Sequence, residues 1–340
     1  MSYLLLGTIF NVPARWLDAV IRVALITGLM TINVLALTYL ERKVAARIQQ
    51  RLGPTRTGPA GIFQALADAL KLLTKEDLRP RLADRWVFEL APFLTLVPVF
   101  LAFIALPYAH DWGIRFLGLG LFYILAVTSV NIVGWVMAGW GSDNKYALLG
   151  GVRAVAQMIS YEIPLVLAAL AVAMVASSLD LREIIEQQNA VPNIIIQPLP
   201  FFLFIVAMMA ETNRNPFDIP VAESEVVGGV TVEYSGIRWS FFQLTEYTSL
   251  FIFAVLCSAL FLGGYAWPGG RDAPFIVQLI LTSIKAGALI LIMFWVRSTF
   301  PRMRVDQLMT FAWKALIPLA FLQIFVNGFI LVYHLSLIHI

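Results

Sequence analysis

The chain has 340 residues, of which 60% are apolar and only 13% are charged. Soluble domains carry about 25% charged residues, so this composition excludes a soluble globular fold. It predicts an all-α polytopic membrane protein, with residues 1–340 forming a single transmembrane domain. The net charge of +3 does not indicate nucleic-acid binding, because the basic residues cluster in short segments between apolar runs.

About eight apolar runs are candidates for membrane-spanning helices. A hydrocarbon core about 30 Å thick requires roughly 20 residues of helix. The runs are residues 19–40, 88–109, 116–139, 147–176, 199–212, 241–264, 275–299 and 312–333. The fifth run is the shortest, and it continues directly into the carboxylate of Glu211.

Lys and Arg in the connections predict the orientation, since they accumulate on the cytoplasmic side of membrane proteins. Ten of them lie in residues 41–87, whereas the whole opposite side offers little beyond four arginines. The connections on the basic side are 41–87, 140–152, 211–240 and 300–311. These connections are predicted to face the cytoplasm, or its organellar equivalent, and both termini are predicted on the outer side.

The first of these connections, 41–87, is predicted to be a structured cytoplasmic loop. Two Gly-Pro pairs in GPTRTGP (53–59) interrupt any helix. The following stretch, GIFQALADALKLLTKED (61–77), carries five large apolar residues at helical spacing: Ile62, Phe63, Leu66, Leu70 and Leu73. This pattern predicts an amphipathic helix of about four turns along the membrane surface, and a simple membrane anchor is one interpretation of it.

Several spans carry ionisable residues at membrane depth, where each costs roughly 2.5–3.5 kcal/mol on insertion scales. Arg153 and Glu162 lie in the fourth span, Glu246 lies early in the sixth and Lys285 lies well inside the seventh. Carboxylates in a low dielectric have raised pKa values and exchange protons near neutral pH. A set spread over several spans therefore favours a proton or ion path. Structural ion pairs are the alternative, above all for Lys285.

The segment AETNRNPFDIPVAESEVVGGVTVEYSG (210–236) concentrates acids between two apolar runs. It contains five carboxylates, Glu211, Asp218, Glu223, Glu225 and Glu233, and one basic residue, Arg214. Residues 211–240 are predicted to form an acidic cytoplasmic loop. Its role is either a solvated docking surface or a part of the proton path.

The sequence predicts no metal site and no redox centre in this chain. There is one cysteine, Cys257, and the three histidines are scattered without metal-site spacing. An iron–sulfur cluster usually requires four cysteines. If the protein takes part in redox chemistry, the electrons must arrive on another subunit.

Four long motifs together resemble one known family. They are ERKVAARIQQRLGPTRTGPAGIFQALADALKLLTKED (41–77), GSDNKYALLGGVRAVAQMISYE (141–162), ETNRNPFDIPVAESEVVGGVTVEYSG (211–236) and RSTFPRMRVDQLMTFAWK (297–314). The family is the H subunit of respiratory complex I, the proton-pumping NADH–quinone oxidoreductase, whose mitochondrial counterpart is NADH dehydrogenase subunit 1. The resemblance runs in order from about residue 16 to residue 333.

The resemblance implies that the chain forms part of the quinone chamber and couples quinone reduction to proton translocation. Residues expected at the quinone chamber are Glu41, Arg42, Asp68, Arg214, Asp218, Arg297 and Arg302. Residues expected in a proton relay are Glu162, Glu211, Glu223, Glu225, Glu233 and Glu246. Residues expected to act as structural or coupling charges are Arg153, Lys285 and Asp306.

The resemblance also implies the surroundings of the chain. Quinone is the expected substrate, no cofactor is bound covalently, and iron–sulfur clusters and flavin belong only to partner subunits. The expected partners are peripheral-arm iron–sulfur and quinone-site subunits, small membrane-arm subunits and membrane lipid, with no nucleic acid. The expected location is the cell inner (plasma) membrane.

The chain departs from the family pattern at three places in the acidic segment, one of them near Val230, where Phe or Tyr is often found. Val221 stands where most members have Glu, so one acid of the cluster is missing. Asn215 stands where Ala, Thr or His is common, and this change is expected to be tolerated.

Two alternatives to the complex I interpretation remain. One is the homologous membrane subunit of a ferredoxin-driven or hydrogenase-type complex, which matches the motifs 41–77 and 211–236 less fully. The other is a stand-alone ion transporter. It predicts matching helix interruptions in two halves of the chain, and the sequence has no such symmetry.

Overall fold

The computed structural model describes residues 14–110, 117–189, 191–266, 268–269 and 273–338, and over that part the regular structure is entirely helical. This confirms the predicted fold class. The α-helices are α1 (Ala14–Ile48), α2 (Gln64–Thr74), α3 (Arg85–Phe103), α4 (Gly120–Ser129), α5 (Asn131–Gly141), α6 (Lys145–Ala176), α7 (Leu181–Gln187), α8 (Asn193–Ile196), α9 (Pro198–Glu211), α10 (Glu223–Val226), α11 (Gly236–Phe261), α12 (Phe275–Thr299), α13 (Val305–Phe311) and α14 (Ile317–Ile338). A π-helical turn, Ala312–Leu316, joins the last two.

Helices overlap all eight predicted spans. Within the described residues, six helical segments are long and apolar enough to cross a membrane: Arg85–Phe103, Gly120–Gly141, Lys145–Ala176, Gly236–Phe261, Phe275–Thr299 and Val305–Tyr333. Helix α9 is a shorter apolar helix of 14 residues, as the short fifth run indicated. The first predicted span lies within α1. The predicted boundaries were wrong for the second span, whose helix ends at Phe103 instead of residue 109.

The surface helix is shorter than predicted. Helix α2 has 11 residues, about three turns at 3.6 residues per turn, so the prediction of four turns was wrong. Its start is delayed because Gly61 has a φ of 81°, and a side chain there would lie 2.2 Å from the carbonyl oxygen of Pro54. Ile62 and Phe63 therefore belong to the preceding turn, where the Phe63 amide donates to the Thr57 carbonyl over 3.2 Å.

The centre of the bundle consists of α6, α9 and α11, while α12 and α14 face outward. Most of the apolar stretch of α11 is buried inside the protein, whereas α12 and α14 leave most of theirs exposed. Phe325 and Phe329 on α14 are among the exposed large side chains, which suits contact with lipid tails. The polar connections that hold the predicted site lie at the end of the bundle where α9 ends and α11 begins.

A proline in α3 attaches the acidic segment to the bundle. Pro92 has no amide proton, so the carbonyl of Phe88 one turn earlier lacks its usual helical donor. The hydroxyl of Tyr234 donates to that carbonyl over 3.1 Å, and its ring stacks on Phe88 with centroids 4.1 Å apart. The end of the acidic segment is thereby fixed against α3.

Candidate functional site

The segment between α9 and α11 encloses a cavity of about 740 Å³, which we call the main cavity. An adjoining cavity of about 430 Å³ shares four of its lining residues. The lining of the main cavity includes Asn213, Arg214, Asp218, Val221, Glu223, Ser224, Val227, Tyr234, Trp239, Phe242, Gln243, Glu246, Tyr247, Arg297 and Arg302. Acidic, basic and aromatic side chains therefore meet in one space.

The enclosing segment lies tightly against α6 because two glycines leave room for it. A side chain at Gly150 would come within 2.7 Å of the Cα atom of Gly229. Gly229 itself has a φ of 56°, in the left-handed region that favours glycine, and the Pro220 carbonyl occupies the space where its side chain would be. The GGV motif of the acidic segment is thus what allows it to pack on the helix.

The end of α9 is held by a buried amide from α6. Gln157 is 1% exposed, and its Nε2 donates to the Ala210 carbonyl over 2.7 Å and to Asn213 Oδ1 over 3.1 Å. Asn213 has a φ of 50°, and the Arg214 amide donates to the Met209 carbonyl over 3.1 Å. The helix therefore ends in a fixed turn that presents Arg214 to the cavity.

A buried charge cluster lies at the wall of the main cavity. Arg214 is 5% exposed and Glu41 is 9% exposed, and Arg214 Nη1 lies 3.0 Å from Glu41 Oε2. Arg297 forms a second ion pair with the same carboxylate. The Arg214 guanidinium also lies 4.4 Å from the ring centroid of Tyr247. Buried charges persist when they are paired in this way, so α1, α12 and the acidic segment are joined through one carboxylate.

The Arg214 guanidinium keeps hydrogen-bonding capacity beyond this pair. Its Nε and Nη2 atoms are buried and have no hydrogen-bond partner within the described residues. An unsatisfied buried donor is costly, by about 1–3 kcal/mol. A carbonyl oxygen or a water in the main cavity would satisfy these donors.

Asp218 lines the cavity outside the spanning helices, and its carboxyl changes charge close to neutral pH. Burial raises the pKa of its carboxyl to about 6, although Arg302 and Arg214 oppose the shift. Arg302 Nη2 lies 3.8 Å from Asp218 Oδ2, and its Nη1 donates to Ser224 Oγ over 3.1 Å. A carboxyl with this pKa can take up or release a proton under physiological conditions.

Carboxylates continue from the cavity into the bundle. Glu246 on α11 lines the cavity and interacts electrostatically with Asp218 and Arg214. Glu211 ends α9 and has a buried Oε2 without a hydrogen-bond partner in the described structure. Glu162 on α6 is close enough to Glu211 for the two charges to interact, and Ser129 on α4 donates a hydrogen bond to Glu162.

Other predicted residues lie outside the main cavity and have partners of their own. Near the surface helix, Arg42 pairs with Asp68 at 2.5 Å. Two acids of the segment bind residues at the start of α6: Glu225 pairs with Arg153 at 2.6 Å and borders the smaller cavity, and Glu233 accepts from Asn144 over 2.6 Å. Asp306 forms an exposed pair with Arg304 at 3.4 Å, and Lys285 donates to the Leu262 and Gly264 carbonyls at the opposite end of the bundle.

Several residues of the site escaped the sequence analysis. Gln157, Asn215 and Tyr247 are neutral, so a search for ionisable groups does not select them as site residues; Asn215 was noted only as a departure from the family pattern. Gln157 lies one helical turn after Arg153 in the motif 141–162, so the two residues share a face of the helix. This spacing was the signal that could have identified it. Val221 gives the cavity an apolar wall that packs against the aromatic cluster with Tyr234 and Phe242.

The lining of the main cavity suits an amphiphilic molecule with a polar head. Arg214, Asp218 and Glu246 supply donors and proton-exchanging groups, whereas Trp239 and Phe242 supply apolar aromatic surface. Within the described residues, no group of three or more His, Cys, Asp or Glu side chains could hold a metal ion.

Comparison with known proteins assigns the family. A family model described as NADH dehydrogenase matches residues 21–328. The chain is 43% identical to the H subunit of the NADH-quinone oxidoreductase of Brevibacillus brevis over 315 residues, which cover 93% of this chain and 92% of the relative. It is 47% identical to the corresponding H subunit of Geobacillus kaustophilus over 302 residues, covering 88% and 89% of the two chains. It is 42% identical to that of Bacillus cereus over 334 residues, covering 96% and 98%. These matches confirm the resemblance predicted from the four motifs, and the chain belongs to the NADH dehydrogenase family that contains the H subunits of NADH-quinone oxidoreductases.

Proposed function

We propose that this chain is the membrane component in which an NADH–quinone oxidoreductase holds the quinone headgroup and couples its reduction to proton translocation. The observation that carries the proposal is the buried pair of Glu41 and Arg214, joined by the partly exposed Arg297, at the wall of a cavity that also contains Asp218 and Glu246. Family membership supports it, because the relatives are named as subunits of that enzyme.

Quinone reduction requires two electrons and two protons, and this chain is proposed to handle the protons. The electrons come from an iron–sulfur cluster on a partner subunit. The free donors of Arg214 are positioned to bind a quinone carbonyl, since charge-assisted hydrogen bonds are about twice as strong as neutral ones. Asp218, with its pKa of about 6, supplies a proton to the cavity and regains it from the solvent-facing side.

The coupling step is electrostatic in this proposal. A change in the charge of the quinone or of Asp218 alters the electric field at Glu246. The protonation of Glu211 and Glu162, deeper in the bundle, is proposed to change in response. In a low dielectric, charges a few ångströms apart shift one another's protonation strongly. A proton taken up at the cavity therefore changes proton occupancy within the bundle.

The surroundings are proposed to match this role. The end that carries the cavity faces the cytoplasm and the peripheral-arm subunits, while both termini lie on the outer side. The exposed apolar residues of the surface helix, Leu66, Leu70 and Leu73, rest in the membrane interface near the quinone's path. The small membrane-arm subunits pack against the outward helices, and flavin and iron–sulfur clusters stay on the partners.

The decisive test is purification of the tagged chain from mild-detergent membranes, followed by electron transfer from NADH to a short-chain quinone. Inhibitor-sensitive NADH–quinone activity in a complex with iron–sulfur partners is the expected result. Iron–sulfur partners with hydrogen evolution or ferredoxin oxidation, but no NADH activity, would favour the hydrogenase-type or ferredoxin-driven alternative. A lone chain without redox partners would favour the ion transporter.

A further inference from the structure

We infer that Asn215 is a positioning residue for quinone binding, because its carboxamide fixes the end of α12 so that Arg297 reaches Glu41. The inference rests on the proposed function of the main cavity. It concerns a neutral residue that lines only the smaller cavity and does not itself contact the buried carboxylate. The family resemblance gives Ala, Thr or His at this position, so the role inferred for the carboxamide belongs to this chain and not to the family as a whole.

Both hydrogen bonds of the Asn215 side chain require it to act as a donor. Its Nδ2 donates to the Arg297 carbonyl over 3.2 Å and to the Phe300 carbonyl over 3.0 Å. These are carbonyls at the C-terminal end of α12, where the helix itself supplies no amide donors. The amide orientation is fixed by this environment, since the opposite orientation would place the side-chain oxygen against two carbonyl oxygens.

Together with its neighbours, Asn215 closes a ring of contacts. Arg214 precedes it in the chain and binds Glu41, Glu41 binds the side chain of Arg297, and the backbone of Arg297 accepts from Asn215. The carboxamide thus sets where α12 delivers the Arg297 guanidinium relative to Arg214. When two cations share Glu41, Arg214 keeps Nε and Nη2 free for a ligand.

The segment has a second attachment that does not depend on the Asn215 side chain. The Met303 amide donates to the Pro216 carbonyl over 3.1 Å. Removal of the carboxamide therefore leaves the connection between the acidic segment and residues 300–303 in place, while Arg297 loses its fixed position. This predicts a defect in quinone affinity and not in assembly.

The test compares Asn215→Ala and Asn215→Asp in the purified complex, with NADH as donor and a short-chain quinone as acceptor. Asn215→Ala is expected to raise the quinone KM about tenfold with kcat changed less than about twofold, the pattern of lost binding rather than lost chemistry. Asn215→Asp preserves the volume but sets a carboxylate against two carbonyl oxygens, so its KM is expected to rise further. An Asp variant with the wild-type KM would overturn the inference.

A double-mutant cycle tests whether Asn215 acts through Arg297. In an Arg297→Gln background, Asn215→Ala is expected to change the KM by less than about twofold, because the group it positions is already gone. Full additivity of the two effects would contradict the positioning role. If Asn215→Ala does not assemble, Asn215→Ser retains one donor, and its KM is expected between those of the wild type and the Asp variant; a wild-type KM for Ser would again overturn the inference.

Asn193→Ala is a matched control at the opposite end of the bundle. Asn193 is likewise an asparagine that donates to a backbone carbonyl at a helix end: its Nδ2 donates to the Leu260 carbonyl near the end of α11 over 2.9 Å. Its removal is expected to leave the quinone KM unchanged. If the wild-type complex itself lacks quinone reductase activity, the proposed function fails. If the wild type is active and Asn215→Ala keeps its KM, only the positioning role fails.

Discussion

The two ends of the helical bundle satisfy buried charge in different ways. At the end that carries the main cavity, Arg214 and Arg297 share the carboxylate of Glu41, so side chains from three separate segments form one ion cluster. At the opposite end, the ammonium of Lys285 donates to the carbonyls of Leu262 and Gly264 over 2.7 and 2.5 Å. One arrangement joins distant segments around a cavity, and the other completes the end of a single helix.

This difference shows what makes a buried charge a functional candidate. Burial alone does not identify such a charge, since Lys285 at one end and Arg297 at the other are both partly buried. Lys285 caps backbone carbonyls that the helix cannot satisfy, a structural role that Lys commonly has at helix C-termini. Arg214 leaves donors directed to a space that can hold a ligand. The groups that a charge contacts, rather than how deeply it is buried, distinguish a structural role from a functional one.

The largest expected effect follows from removing the charge of Arg214. Arg214→Met keeps much of the side-chain volume but deprives Glu41 of one cation and the cavity of its free donors. We expect NADH–quinone activity to fall about 100-fold, since hydrogen bonds from a charged group contribute about 1.5–3 kcal/mol. Reduction of a soluble artificial acceptor by NADH should persist, because it bypasses the quinone.

Arg79→Met is the matched control for this prediction. Arg79 pairs with Glu89 at 2.8 Å, and both side chains are partly exposed. Exposed pairs contribute about 0–1 kcal/mol, so quinone activity should stay within about twofold of the wild type. Equal losses of quinone activity in the two variants would show that breaking any ion pair impairs the chain. The functional role assigned to the cavity end would then be wrong.

A smaller effect on quinone reduction is expected from a change at Glu211, which ends α9 outside the lining of the main cavity. Glu211→Gln keeps the shape of the side chain and removes its ability to ionise. Proton translocation per quinone reduced should fall, and quinone reduction should slow about tenfold, within the range of lost acid–base groups. Activity with the soluble acceptor should be unchanged. Loss of both activities together would indicate failed assembly instead of a broken relay.

The fold was largely predictable because the hydrocarbon core dictates the length and apolarity of each span. The ends of the helices were harder to predict, since local backbone geometry determines them. Gly61 illustrates this, because its left-handed conformation delays α2 by a turn that the apolar periodicity includes. The short α9 was identified correctly, as its apolar run is interrupted by Glu211.

The site was predictable by residue type but not by pairing. Glu41 and Arg214 are 173 residues apart, and nothing in either motif indicates that they meet. Neutral residues that act on backbone carbonyls, such as Gln157 and Asn215, carry no charge that a search of the spans would notice. Glu225 was grouped with the relay acids by its neighbours in sequence, but it lies in an ion pair with Arg153. Its role in proton transfer stays a prediction.

A more modest effect is expected on the pH dependence of quinone activity, which should report the titration of Asp218. Burial raises the pKa of this carboxyl to about 6, so it is protonated at pH 5 and ionised at pH 7. The protonated form is the one that supplies a proton for quinone reduction, so wild-type quinone activity should fall between pH 5 and 7. Asp218→Asn should lack this fall and be a few-fold slower than the wild type at pH 5, as expected for loss of one acid–base group. An unchanged inflection near pH 6 would assign it to another group.

The smallest effect on activity is expected at Lys285, and this variant is the sharpest test of the contrast between the two ends. Lys285→Met keeps an unbranched side chain of similar length and leaves the carbonyls of Leu262 and Gly264 without this donor. Charge-assisted hydrogen bonds contribute about 1.5–3 kcal/mol, so the detergent-purified complex should unfold at a lower temperature. The quinone KM and the number of protons translocated should not change, because the ammonium binds the backbone at the end remote from Arg214 and Asp218. If Lys285→Met instead lowered proton translocation while thermal stability was preserved, the capping role would be wrong. Lys285 would then belong to a path that crosses the whole bundle.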